Sequence, residues 1–171
     1  MELSLLILVT ALAPTDSVAP ETEICACCVA EARQFDFWIG EWETYTPDGR
    51  LAGTNSISLL QDSCLILESW RSHGSKYTGT SYNFYNRRTG RWQQLWIDNQ
   101  GGNLQLEGNF NGTAMVLQSE ELPNQDKKLQ IDRITWTPND DGTVRQLWEV
   151  STDKGKTWQV VFDGRYKRKT Q

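Results

Sequence analysis

The sequence predicts an all-β fold: a single up-and-down antiparallel β-barrel of about ten strands, with a short N-terminal helical plug. Three observations predict it. From Trp42 onward, polar and apolar residues alternate with the period of a strand, and no stretch has helical periodicity. Turn signals rich in Gly, Asn and Asp separate these segments at the roughly 8–12-residue spacing of an antiparallel meander. The third is the stretch Phe35-Asp36-Phe37-Trp38-Ile39-Gly40-Glu41-Trp42. Phe35, Phe37 and Trp38 are spaced for one helical turn, and Gly40 lets the backbone bend sharply before the first strand.

Composition narrows the class. A chain of 171 residues, 38% hydrophobic and 23% charged, is one soluble domain with room for a real core. Eight tryptophans favour strands and a barrel interior over surface loops. A net charge of −5 tells against nucleic acid as a partner, and the basic Lys167-Arg168-Lys169 run reads as a solvated chain end.

Residues 1–19 read as a signal peptide, 20–34 as a Cys-containing N-terminal tail, and 35–171 as the barrel domain. Leu3–Ala13 is an apolar run too short to span a bilayer, and small residues at Ala13 and Ala19 offer cleavage sites. The mature chain is therefore expected to be secreted or periplasmic, with no transmembrane segment. Cys25, Cys27, Cys28 and Cys64 allow up to two disulfides in three pairings, and a bond from the tail to Cys64 would pin it to the barrel wall. The plainer expectation is a loosely structured tail. Lipid attachment does not fit, because Glu23-Ile24 precede Cys25. With His73 as the sole histidine, no metal site and no haem ligation is expected.

The expected strands are 41–47, 51–60, 63–72, 76–86, 90–98, 103–109, 113–119, 129–137, 143–151 and 157–168, with 120–128 the longest connection. Turns such as Pro47-Asp48-Gly49-Arg50, Asn111-Gly112 and Asn139-Asp140-Asp141-Gly142 supply residues that tolerate positive φ. Closure is the usual way for so many antiparallel strands to hide two sheet edges. Alternation assigns faces. Val144, Gln146, Trp148 and Val150 share one side, as do Trp92, Gln94 and Trp96; Trp158, Val160, Phe162, Tyr166 and Arg168 align on the last strand, and these Trp-bearing faces are assigned to the interior. The strand 63–72 is apolar on both faces, and its Cys64, Ile66, Glu68, Trp70 side is assigned inward. A wall mixing Trp with Gln and Tyr suits an amphipathic guest, whereas packed interiors prefer branched aliphatics. The ligand-binding candidates are Trp70, Trp92, Gln94, Trp96, Gln146, Trp148 and Tyr166.

Candidates for chemistry are few. Glu68, if inward, is a buried carboxylate with a raised pKa and the one plausible general base; the alternatives are pairing with an inward Arg or pointing to water. His73 sits beside Gly74 in a predicted turn and reads as a solvated loop residue. Ser151-x-Asp153-x-Gly155-x-Thr157-Trp158 fits the Asp-box of sialidases, but a propeller needs several such blades, so here it reads as a well-made hairpin. Asn111-Gly112-Thr113 is a glycosylation sequon at a hairpin tip, where Asn-Gly is expected without any sugar.

The Gly40-x-Trp42 after an aromatic helical turn, the meander of short hairpins and Tyr166-x-Arg168 together resemble the calycin superfamily, the lipocalins and fatty-acid-binding proteins. The stretches Phe35–Trp42, Ser81-Tyr82-Asn83-Phe84-Tyr85 and Phe162-Asp163-Gly164-Arg165-Tyr166 are similar to a set of bacterial lipocalin-like proteins of unknown function. The resemblance implies that Trp42 packs across the closed end of the barrel. It implies that Arg168 lies over Trp42 and hydrogen-bonds the turn before the first strand. It brings no activity with it. The expected function is an exported protein holding a small apolar or amphipathic molecule in its lumen, without a cofactor. An isomerase or cyclase built in the same cup is the enzymatic alternative. A filled barrel acting through its surface is the third.

Overall fold

The computed structural model describes residues 25–170; the leader read as a signal peptide and residues 20–24 of the tail lie outside the described residues. Two short 3-10 turns, Ala30–Arg33 and Asp36–Trp38, precede the sheet. The strands are β1 (Gly40–Tyr45), β2 (Leu51–Leu60), β3 (Leu65–Ser72), β4 (Thr78–Asn86), β5 (Arg91–Asp98), β6 (Asn103–Phe110), β7 (Met115–Gln118), β8 (Leu122–Pro123), β9 (Leu129–Pro138), β10 (Val144–Ser151) and β11 (Gln159–Arg168). Ten of them close into an antiparallel barrel in chain order, with β11 returning to β1 and Trp42 opposite Arg168. The exception is β8, which pairs only with the start of β9 inside the 120–128 connection. Local turn chemistry sets the hairpins: Asn111 Oδ1 accepts from the Thr113 and Ala114 amides, and Ser151 and Asp153 hold the 152–158 turn through the Gly155 and Thr157 amides.

Antiparallel order puts the 3-10 turns and the turns before β3, β5, β7 and β10 at one end, and the remaining turns at the other. The first end is closed. Phe35 and Trp38, both 0% exposed, stack at 4.9 Å inside the barrel, with Trp92 and Trp136 edge-on to Phe35 at 5.6 and 5.2 Å. Ile57, Ile66, Met115, Leu117 and Val144 complete this floor. Trp42 is buried there, donating from Nε1 to the Trp38 carbonyl at 2.7 Å. The Arg168 guanidinium lies 4.0 Å over its ring and donates to the Ile39 carbonyl at 2.6 Å. Gly40 is what makes this possible: a Cβ there would collide with the same guanidinium, and its φ of +139° suits glycine alone.

Two expectations are corrected. The tail is not loose: Cys25 bonds Cys28, Cys27 bonds Cys64, and Arg33 donates to the Ser63 carbonyl, so residues 25–34 are stapled onto the closed end. The last strand also changes phase. The register between β10 and β11 shifts after Trp148, with Trp148 opposite Phe162 but Glu149 opposite Val160, leaving Val161 as an extra residue. Val160 is therefore an outer residue, 60% exposed, and Trp158 stacks under Arg133, 3.7 Å from its guanidinium carbon, instead of facing the lumen. Phe162 and Tyr166 keep the inward phase, and Arg145 and Arg165 point outward to Asp163 and Asp141.

Candidate functional site

Above the floor the barrel holds a cavity of about 270 Å³. Its walls are aromatic and aliphatic: Trp70, Tyr77, Trp96, Leu104, Ile134, Trp136, Trp148, Val161 and Phe162. Its polar residues are Glu68, Ser72, Gln94, Gln146 and Tyr166. Bare backbone seats two of the indoles. Trp70 lies over Gly53 and Trp96 over Gly79, and a Cβ at either glycine would strike the ring. Trp148 is fixed by a 2.8 Å bond from Nε1 to Asp132 Oδ1, and Tyr77 donates to Asp98 Oδ2 at 3.1 Å. These rings are thus held in place by backbone and by hydrogen bonds.

All of these polar residues except Ser72 belong to one hydrogen-bonded arc around the interior. Gln94 Nε2 donates to Asn83 Oδ1 at 2.7 Å, Asn83 Nδ2 to Ser81 Oγ at 2.8 Å, and Ser81 Oγ to Glu68 Oε2 at 2.5 Å. On the other side Asn55 Nδ2 donates to Glu68 Oε1 at 2.7 Å and to the Tyr166 hydroxyl at 3.2 Å, and that hydroxyl donates to Gln146 Oε1. The arc links β5, β4, β3 and β2 in their order around the barrel and then skips β1 to reach β11 and β10. Strand β4 makes it possible by reversing the usual pattern. Ser81 and Asn83 are fully buried, while Tyr82 and Phe84 are 43% and 36% exposed.

Glu68 sits at the centre of the arc, 5% exposed. Burial pushes its carboxyl up to about 7, against the opposing pull of the Ser81 and Asn55 hydrogen bonds. Neither earlier alternative holds, because Glu68 faces inward and both of its side-chain hydrogen-bond partners are neutral. Burial, reinforced by the Glu68 charge, holds the Tyr166 hydroxyl proton well above the ordinary tyrosine range. Among the described residues, no Lys, Arg or His lines the cavity. His73 is exposed in the turn after β3.

Of the residues singled out from the sequence, Trp70, Gln94, Trp96, Gln146, Trp148 and Tyr166 line the cavity together with Glu68. Trp92 does not. It lies in the floor against Phe35 and donates from Nε1 to the Glu31 carbonyl at 3.1 Å. Alternation places a residue on a face but not at a depth along the barrel, so Trp92 and Trp96 look alike in sequence. Asn55, Ser81 and Asn83 were missed. The signal for them is an Asn in register with Gly53 and Ile57, and a small polar phase on β4 that the aromatic phase hides.

Fold and cavity together define a closed antiparallel barrel with an aromatic internal cup over a buried carboxyl. Compared with protein-family models and with curated proteins, the sequence matches none. Among the described residues no group of His, Cys, Asp or Glu is arranged to hold a metal ion, and no helix is long and apolar enough to cross a membrane.

Proposed function

We propose that this is an exported, lipocalin-like binding protein that carries a small amphipathic molecule in its lumen. The observation that carries the reading is the cavity of about 270 Å³, a little below the ~300–1,000 Å³ usual for ligand sites, apolar on its walls and hydrogen-bonding at one side. Gln94 Oε1 and Gln146 Nε2, on two of the lining residues, make no protein hydrogen bond among the described residues, so both ends of an amide dipole are available to a guest. The Gly40–Trp42–Arg168 arrangement supports the calycin resemblance, and two disulfides suit an oxidising compartment outside the cytosol.

The test is recovery of a bound compound by organic extraction and mass spectrometry of protein purified from its native host. Titration of that compound back into the apo-protein follows, read by tryptophan fluorescence. Trp70→Ala and Trp96→Ala should each weaken it about tenfold or more, since each deletes a wall. If no compound is extracted and a panel of apolar dyes leaves the fluorescence unchanged, the binding reading fails. A second reading, an isomerase-type enzyme, is favoured by one observation: a cavity-facing carboxyl poised at about 7 can both take and return a proton near neutrality. That reading requires Glu68→Gln to abolish turnover while binding persists.

A further inference from the structure

The chemistry of the guest follows from what the cup lacks. Glu68 is a buried acid whose two hydrogen-bond donors, Asn55 and Ser81, are both uncharged. An ionised carboxylate has roughly four lone-pair positions, and these donors occupy two of them. The residues lining the cavity include no cation that could fill the others. The walls are largely aromatic. Trp70, Trp96, Trp148 and Phe162 line the cavity, and the faces of such rings are the negative part of their quadrupole. The bonds described above hold two of the lining side chains by their edges, Trp148 by its N–H and Tyr77 by its hydroxyl. A buried carboxyl with no cationic partner, set in an aromatic lining, favours a positive guest, and an unpaired buried carboxylate is costly until one arrives.

We infer that the cup is a cation site: its guest is a small protonated amine with a flat apolar body, the ammonium donating to Glu68 and the body lying between the indoles of Trp70 and Trp96. The inference rests on the lumen-binding reading and names its ligand class. Cation–π attraction at desolvated indoles and a charge-assisted bond to Glu68 both discriminate against a neutral or anionic guest of the same shape. Binding also draws the carboxyl proton off. The titratable groups facing Glu68 are Tyr77 from the turn before β4 and Tyr166 from β11; its other neighbours, Asn55 on β2 and Ser81 and Asn83 on β4, do not titrate. Both tyrosines are raised, chiefly by burial, so they keep their protons while Glu68 loses its own. Near neutral pH a cation should release protons, because burial keeps part of the free carboxyl protonated there.

Three isosteres separate the possibilities: phenethylamine, 2-phenylethanol and phenylacetate, titrated calorimetrically into the full-length protein at pH 8 and pH 5.5 in buffers of differing ionisation enthalpy. The amine should bind about tenfold or more tighter than the alcohol at pH 8, with the acid weakest. At pH 5.5, where Glu68 is protonated, the amine's advantage should shrink, and at pH 7 the buffer series should report proton release. Glu68→Gln should remove the amine's advantage over the alcohol. Should that variant fail to fold, the wild-type pH series carries the same test. Equal binding of amine and alcohol at both pH values, or tighter binding of the acid, overturns the cation site and leaves lumen binding standing. So does failure of all three probes while the neutral dye Nile red still binds. If Nile red also fails, the lumen-binding reading falls with it.

Discussion

The two halves of the barrel use the same residue type for opposite purposes. At the closed end Trp38, Trp42, Trp92 and Trp136 are 0–1% exposed and packed ring against ring. Above them Trp70, Trp96 and Trp148 line the cavity, the first two set over glycine backbone and the third held through its N–H by an acid. The floor consumes its aromatics in mutual packing, and the cup leaves its aromatics unfinished. A ring's contribution to stability therefore depends on how many of its faces have partners, and the rings with the least to contribute to the fold are the ones free to meet a guest.

The comparison breaks most easily at Trp42. Trp42→Ala empties a sealed floor and should cost ~3–5 kcal/mol in a urea melt. Trp70→Ala, already bordered by a void, should cost less than half as much; equal losses at the two sites would erase the distinction between floor and cup.

Next is Glu68, where the cup's polar side is set against the fold itself. Its folded pKa of about 7 exceeds the ordinary 4.5, so the folded state binds more protons between those values. Stability should therefore fall as pH rises through that window and level off above it, by ~3 kcal/mol in total. Glu68→Gln should flatten this part of the profile. An unchanged slope in the variant would show that the carboxyl ionises freely in the folded protein.

The smallest effects sharpen the closed end. Arg168→Ala loses the contact over Trp42 and the bond to the Ile39 carbonyl and should cost ~1–2 kcal/mol. Arg165→Ala, removing an exposed pair with Asp141, should leave the urea midpoint where it is. The reverse ranking would mean that the outward and inward faces of β11 had been exchanged.

How much of this was legible in sequence depends on what each feature is made of. The strands were readable because Gly, Asn and Asp mark their turns locally; the ranges 51–60 and 103–109 differ little from β2 and β6. Closure followed from strand number and hairpin length. The phase of Val160 was not readable, since a bulge at Val161 is an insertion in pairing that leaves no mark on composition. The disulfide pairing was not readable either, because Cys25, Cys27 and Cys28 are near-equivalent in sequence and only the fold brings one of them to Cys64. The polar arc lay half hidden because β4 turns Tyr82 and Phe84 outward, against the burial rule on which face assignment rests. Glu68 itself stood out, as an acid in the phase of Ile66 and Trp70.

The meeting of Trp42 with Arg168 also has a place in time. The hydrogen-bonded seam between β1 and β11 joins opposite ends of the barrel domain, so the ring cannot shut until β11 has been made. Until then the aromatic plug has walls but no lock, and the nascent sheet carries two open edges at once. Most other neighbours along the sheet are joined by short hairpins and can form as they are synthesised. Folding should thus run as a fast accumulation of local hairpins followed by one slow, long-range step, the closure, whose loop entropy is the largest the chain has to overcome.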